Sequence, residues 1–177
     1  MDGNSIVKGF TTPFTEEMIQ SLKAGDIIEL TGTIYSARDA AHARMAQAIA
    51  DGVAAPFEYA GETVFYAGPC PAPPGKPIGS VGPTTASRMD AYSPLLIEHG
   101  LKIMIGKGNR SSAVLDAVVK YKGLYLVAVG GVATLMAKRI LKSEIIAYED
   151  LGTEAIRRLT VEKFPLAVAI DSYGGVL

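Results

Sequence analysis

From Thr85 to the last residues the chain alternates apolar runs of strand length with stretches of helical periodicity, and this alternation narrows its fold more than any other property. The pattern predicts a helix over Thr85–His99, a strand over Leu101–Ile105, a helix over Ser112–Tyr121, a strand over Leu124–Val129 and a helix over Val132–Leu141. It continues with a short strand over Glu144–Tyr148, a helical turn over Glu154–Arg158 and an unbroken apolar run, Leu166–Ile170, of the kind buried in parallel sheets. The expectation is an α/β architecture. The first third differs, with more strand and loop. Asp26–Tyr35 alternates Ile28, Leu30 and Ile34 with polar residues, and Gly32 is a candidate bulge. A helix capped by Ser36, with Asp39 in its first turn, should run to Ala50 and stop at Asp51-Gly52, and Thr63–Ala67 reads as a strand. Gly68–Pro77 then places five prolines in ten positions, which no regular element tolerates. It should be a stiff surface loop serving as a connector, lid or docking arm. The expected fold is therefore β-rich structure packed beside a parallel sheet with helices.

Composition excludes several functions. At 177 residues and 49% hydrophobic content the chain suits one domain with a sizeable core. Seventeen basic against 18 acidic residues leave a net charge of -1, so no global field recruits nucleic acid or an anionic membrane surface. Any anion preference must be local. No apolar run approaches the roughly 20 residues of a membrane span, and Met1–Ser5 lacks a signal-peptide pattern, which gives an expectation of cytoplasmic location. One cysteine, Cys70, allows no internal disulfide and supplies no zinc or iron–sulfur site, which need three or four protein ligands.

Three cation-bearing turns are the candidate chemistry. In Tyr35-Ser36-Ala37-Arg38-Asp39-Ala40-Ala41-His42, Arg38 stands at a strand-to-helix junction where free N–H groups favour an anion, and its guanidinium adds a two-pronged carboxylate clamp. Pairing with Asp39 or Glu58 would instead make it a solvated helix end. His42 can orient Arg38 or a ligand, or serve as a structural donor. In Gly82-Pro83-Thr84-Thr85-Ala86-Ser87-Arg88-Met89-Asp90, one hydroxyl suffices for a helix cap, so the other is left near the Arg88 charge. The spacing does not choose between Thr84 and Thr85. In Gly106-Lys107-Gly108-Asn109-Arg110-Ser111, Lys107 follows a strand, where open α/β sheets place ligands, although the spacing of a phosphate-binding loop is absent. Gly130-Gly131 reads as close strand–helix packing. Three such turns in one small domain suggest a polyanion site.

These segments, together with Tyr66-Ala67-Gly68-Pro69 and Leu151-Gly152-Thr153-Glu154-Ala155-Ile156, resemble nearly end to end the β subunit, or carboxyl-terminal domain, of iron–sulfur-dependent class I fumarases and L-tartrate dehydratases. The resemblance implies a three-layer β/β/α swivelling-type domain with a mainly parallel sheet and flanking helices, spanning 1–177. It implies an α subunit carrying the cysteines of a 4Fe-4S cluster, so that this chain is half an active site, in an α2β2 hetero-oligomer. By the same resemblance Arg38, Arg88 and Lys107 bind a dicarboxylic acid and Thr84 is the proton-transferring base, with His42, Thr85 and Asp39 in support and no metal on this chain.

The expected activity is reversible hydration of fumarate to malate. Conversion of tartrate to oxaloacetate is the alternative, because the same cations serve either four-carbon dicarboxylate. A non-catalytic dicarboxylate-binding or scaffolding module is the rival of another class.

Overall fold

Two long strands with polar-apolar alternation, one near the start of the chain and one near its end, determine the architecture. In a computed structural model describing residues 6–129 and 133–177, the first is β2 (Ile27–Ser36) and the other is β7 (Ile156–Ile170). Between and before them lie β1 (Lys8–Thr11), α1 (Glu16–Gln20), α2 (Asp39–Ala50), β3 (Thr63–Phe65), α3 (Ser93–Glu98), β4 (Ile103–Gly106), α4 (Ser112–Tyr121), β5 (Leu124–Ala128), α5 (Ala133–Lys138) and β6 (Ile140–Ala147). A 3₁₀ segment spans Ala86–Met89, and two 3₁₀ turns separated by a kink at Gly152 lie within Glu149–Glu154. Strands β2, β3, β4 and β5 pair in that order and run parallel. β7 then pairs antiparallel with both β5 and β2, closing a five-stranded mixed barrel, while β1 extends one edge of β2 and β6 one edge of β7.

This closure corrects the expected three-layer β/β/α domain with a mainly parallel sheet and flanking helices. The physical reason lies in β7. Its Leu159, Val161, Phe164, Leu166 and Val168 are all buried in the barrel core, and its two edges satisfy the open edges of β2 and β5 together. The bend that closure requires is made at two points. β2 carries a register shift between Leu30 and Gly32, where Gly32 takes φ +123° and a Cβ would lie 2.2 Å from Thr12 Oγ1, so the bulge anticipated at Gly32 is present. In β7, Lys163 takes φ 49°.

Strand alternation divides the core in two. Ile103 and Ile105 point into the barrel with Ile28, Leu30, Phe65, Leu124 and Phe164, whereas Met104, Val64 and Tyr125 face α2, α3 and α4 outside. The proline-rich loop is irregular, as expected, but it is anchored. Cys70 N–H donates to Ser80 O at 2.9 Å, and Ile78 and Val81 bury themselves in the barrel cluster. Cys70 itself is exposed.

Several element expectations are revised. The single helix over Thr85–His99 is a 3₁₀ turn and then α3, because Pro94 lacks an N–H and can sit only in a helix's first turn. The helical turn over Glu154–Arg158 is instead the end of a 3₁₀ segment and the start of β7. The Val132–Leu141 helix is shorter, and β6 begins at Ile140. The Gly130-Gly131 reading, the start of that helix at Val132 and Met1–Ser5 lie outside the described residues. Among the described residues no helix is long and apolar enough to cross a membrane.

Candidate active site

Because β2, β3 and β4 are parallel, their carboxyl ends lie at one rim of the barrel, and each passes directly into a segment singled out by sequence. After β2, Ala37 N–H still donates to Phe65 O at 3.0 Å, so the strand continues one residue past Ser36. Ser36 is consequently a buried strand residue, and Arg38, extended at φ -117° and ψ -160°, takes the N-cap position of α2 that was expected for Ser36. Arg38 offers no side-chain cap. One of the free N–H groups there, that of Ala40, is taken by Glu154 Oε1 at 3.2 Å, so a carboxylate of the chain itself sits at the helix start.

The second and third turns are joined through their backbones. Thr84 N–H donates to Tyr66 O at 2.6 Å, Lys107 N–H to Thr84 O at 3.3 Å, and Ala86 N–H to Lys107 O at 2.8 Å. Thr84 and Thr85 are therefore extended beside the end of β4 rather than helical, and Thr85 pairs with Lys107 in a parallel bridge. Thr85 occupies the N-cap of the 3₁₀ turn but its side chain caps nothing. Among the described residues neither threonine hydroxyl has a hydrogen-bond partner. Ser111 caps α4 by accepting from Val114 N–H at 3.3 Å.

Asp39 joins the first turn to the second. Its Oδ2 accepts from Arg88 Nε at 2.8 Å and its Oδ1 lies 4.0 Å from Arg38 Nε, so one carboxylate stands between two guanidinium groups. Arg38 Nε and Asp39 Oδ1 are both buried without a hydrogen-bond partner among the described residues. Arg88 gives its Nε to Asp39, and among the described residues its outer nitrogens make no hydrogen bond. Lys107 is exposed and makes no ion pair among the described residues. Two guanidinium groups and one ammonium against the carboxylates of Asp39 and Glu154 leave this rim with a surplus of positive charge.

His42 lies beneath the rim. Its Nδ1 is 2.8 Å from Arg38 O and its ring meets Tyr66 edge-on at 5.2 Å. Burial pushes its pKa down to about 4; the Arg38 carbonyl pulls the other way, and the Arg110 charge adds to the depression. A neutral ring whose Nδ1–H donates to that carbonyl fixes the backbone from which Arg38 projects.

Several contributors escaped the sequence reading. Gly68 lies so close to Arg38 that a Cβ would fall 2.8 Å from its Cδ and 3.0 Å from its Nη1. Arg110 and Asp90 form a buried ion pair at 2.7 Å between the second and third turns. The Tyr66-Ala67-Gly68-Pro69 segment was conspicuous, but nothing local pairs Gly68 with Arg38, or Asp90 with a residue twenty positions on. Among the described residues no group of three or more His, Cys, Asp or Glu side chains is placed to hold a metal ion, and Cys70 stands exposed on the proline loop. A single cysteine does not fit a 4Fe-4S cluster, which takes three or four protein ligands.

A closed mixed barrel, with Arg38 and Lys107 on turns that follow its parallel strands and Arg88 tied to the first of them through Asp39, is the class of domain the fold defines. Comparison gives the particular family: residues 6–177 match the family described as Fumarase C-terminus, and the chain belongs to it. It is 41% identical over 177 residues to "Fumarate hydratase class I, anaerobic" of Escherichia coli (strain K12), covering 98% of this chain and 32% of that protein. It is 43% identical over 163 residues to "Fumarate hydratase 1, mitochondrial" of Leishmania major, covering 89% of this chain and 30% of the relative. Against "L(+)-tartrate dehydratase subunit beta" of Escherichia coli (strain K12), identity is 34% over 175 residues, covering 96% of this chain and 86% of that subunit. The chain thus spans about a third of the fumarate hydratases it matches.

Proposed function

We propose that this chain is the β-type part of a hydro-lyase that adds water reversibly across the double bond of fumarate to give malate, in a complex with an α-type part. The observation that supports the reading is the meeting at Asp39 of Arg38 and Arg88, fifty positions apart, while the Thr85–Lys107 bridge, with Lys107 N–H donating to Thr84 O, joins the turns of Thr84 and Lys107. The fumarate hydratase relatives support the choice of substrate. Tartrate remains the second substrate reading, because the same cations serve either diacid and the tartrate dehydratase relative aligns over 96% of this chain.

In this reading Arg38, Arg88 and Lys107 hold the two carboxylates of the diacid. Removing the malate proton next to a carboxylate drives negative charge onto that carboxylate, and cations already in place lower the barrier without reorganising. Thr84 Oγ takes the proton. An unperturbed hydroxyl is too weak a base for this, so the Thr84 alkoxide must be stabilised by the neighbouring cations and its proton passed on to an acceptor. The departing hydroxide is accepted outside this chain. The proposed α part is the bearer of the 4Fe-4S cluster, and the assembly is proposed as α2β2 in the cytoplasm.

Anaerobic co-purification with the α part, followed by assays on fumarate, malate and tartrate, tests the proposal. Fumarate and malate should be interconverted faster than tartrate is dehydrated. Thr84→Val should lower kcat by roughly 1,000-fold, the scale of positioned acid–base catalysis, with KM nearly unchanged. Undiminished turnover in Thr84→Val would reduce the domain to a non-catalytic binding module; faster tartrate turnover would reverse the substrate assignment.

A further inference from the structure

Arg110 has no place in that reaction, yet it is the most completely enclosed cation of the rim. Its side chain is 0% exposed, and each part of the guanidinium is engaged: Nε with Asp90 Oδ1 at 2.7 Å, Nη2 with Ser93 Oγ at 2.9 Å and Tyr66 OH at 3.2 Å, and Nη1 with Met104 Sδ at 3.5 Å. The rings of Tyr66 and Tyr125 lie 5.2 Å and 4.8 Å from the guanidinium carbon. Removing an ion pair from water costs several kcal/mol per ion, and apolar side chains of similar volume often stabilise a core equally well. A pair buried at that cost secures geometry more readily than stability.

The neighbours of Arg110 lead to the turns that bear Arg38, Thr84, Arg88 and Lys107. Asp90 caps the 3₁₀ turn that carries Arg88, and its other oxygen accepts from Ser111 N–H at 2.7 Å, tying that turn to the start of α4. Tyr125 OH donates to Gly108 O at 2.8 Å, next to Lys107. Tyr66 accepts Thr84 N–H on its carbonyl, and its ring edge supports His42, which holds the Arg38 carbonyl. We propose that Arg110, paired with Asp90, is a positioning residue that sets the mutual spacing of the turns bearing Arg38, Thr84, Arg88 and Lys107, and thereby the fit to a four-carbon diacid. The inference rests on the hydro-lyase reading for its functional consequence, but its structural content stands apart from it. A lysine cannot replace this arginine, because a single ammonium lacks the planar fork that meets Asp90, Ser93 and Tyr66 together.

The test uses the assembled complex with Arg110→Lys and, should that variant fold poorly, Asp90→Asn, which keeps an acceptor oxygen and loses the charge. Kinetics on the diacid turned over by wild type are combined with thermal midpoints and amide hydrogen exchange. The expected result is a fall in kcat/KM of about 100-fold, the scale of a misplacement near 1 Å. Faster exchange at Thr84, Ala86 and Lys107 should accompany it, with β5 and β7 amides still protected. Kinetics within about threefold of wild type, against that expectation, or loss of protection throughout the barrel, would overturn the proposal. If wild type acts on neither diacid, the hydro-lyase reading fails, and the exchange pattern still decides whether Arg110 holds the turns.

Discussion

Arg38 reaches the rim along a path that exists because position 68 has no Cβ. Its guanidinium passes where that atom would stand, and the Thr153 carbonyl, 3.1 Å from the same point, closes the other side. Gly68→Ala should therefore push the arginine aside without opening the core, since the nearest atoms belong to a long side chain that can swing away. Diacid affinity is expected to fall at least tenfold, within the cost of a displaced binding group, while the thermal midpoint stays within a few degrees of wild type; competitive inhibition by succinate and a melting curve measure the two. An unchanged inhibition constant would mean that Arg38 does not touch the ligand. Asp39 works in the opposite sense. By standing between Arg38 and Arg88 it holds Arg88 through a hydrogen bond and offsets part of the charge of both, which limits the mutual repulsion of the two guanidinium groups.

At the scale of elements, β7 makes the barrel, and Phe164 is its central wedge. The ring is fully buried, meets Phe65 edge-on at 5.6 Å, and sits opposite Leu30 in the β2 register just before the Gly32 bulge. Phe164→Ala should destabilise the chain by about 3–5 kcal/mol, read as a shift in urea midpoint, because the rigid ring of strands cannot collapse into the cavity. A loss below about 1 kcal/mol would show that the barrel relaxes around the gap, contrary to that scale. β7 also shows where sequence was legible and where it was not. The regular alternation of β2 and the apolar run of β5 declared themselves, and a helical stripe from Ser112 marked α4. In β7 the alternation Leu159, Val161 is followed, after one slip at Glu162-Lys163, by Phe164, Leu166 and Val168, and the charged pairs Arg157-Arg158 and Glu162-Lys163 hid the continuity. Nor does any local pattern announce that a strand will bond on both edges, since closure depends on partners more than 100 positions away. The site divides similarly. Arg38 and Lys107 stood out after strands and Arg88 at a helix start, whereas Gly68, Asp90 and Arg110 act through neighbours remote in sequence.

For the whole molecule, the buried histidine makes folding stability depend on pH. His42 is neutral in the folded chain down to about pH 4, whereas in the unfolded chain it takes up a proton near 6.5. Between those values the unfolded state binds more protons, so stability rises with pH; the contribution is complete above 6.5 and is lost as pH falls towards 4. The loss amounts to about 3 kcal/mol. Urea unfolding at intervals from about pH 7.5 to 4.5 should show this slope, and His42→Asn, which retains a donor but does not titrate, should flatten it. Equal slopes would place the ring in a wetter setting than its burial indicates. Asp171, though burial pushes its carboxyl up, is held below the usual range by the N–H groups of Ala24, Gly175 and Tyr173, so its own contribution fades only at still lower pH. Barrel closure carries a further consequence for biosynthesis. β7 follows every other strand in the chain yet borders β2, so during translation the four parallel strands must wait as an open sheet with two bare edges. That interval, rather than the finished barrel, is when a nascent chain is most exposed to pairing with a stranger.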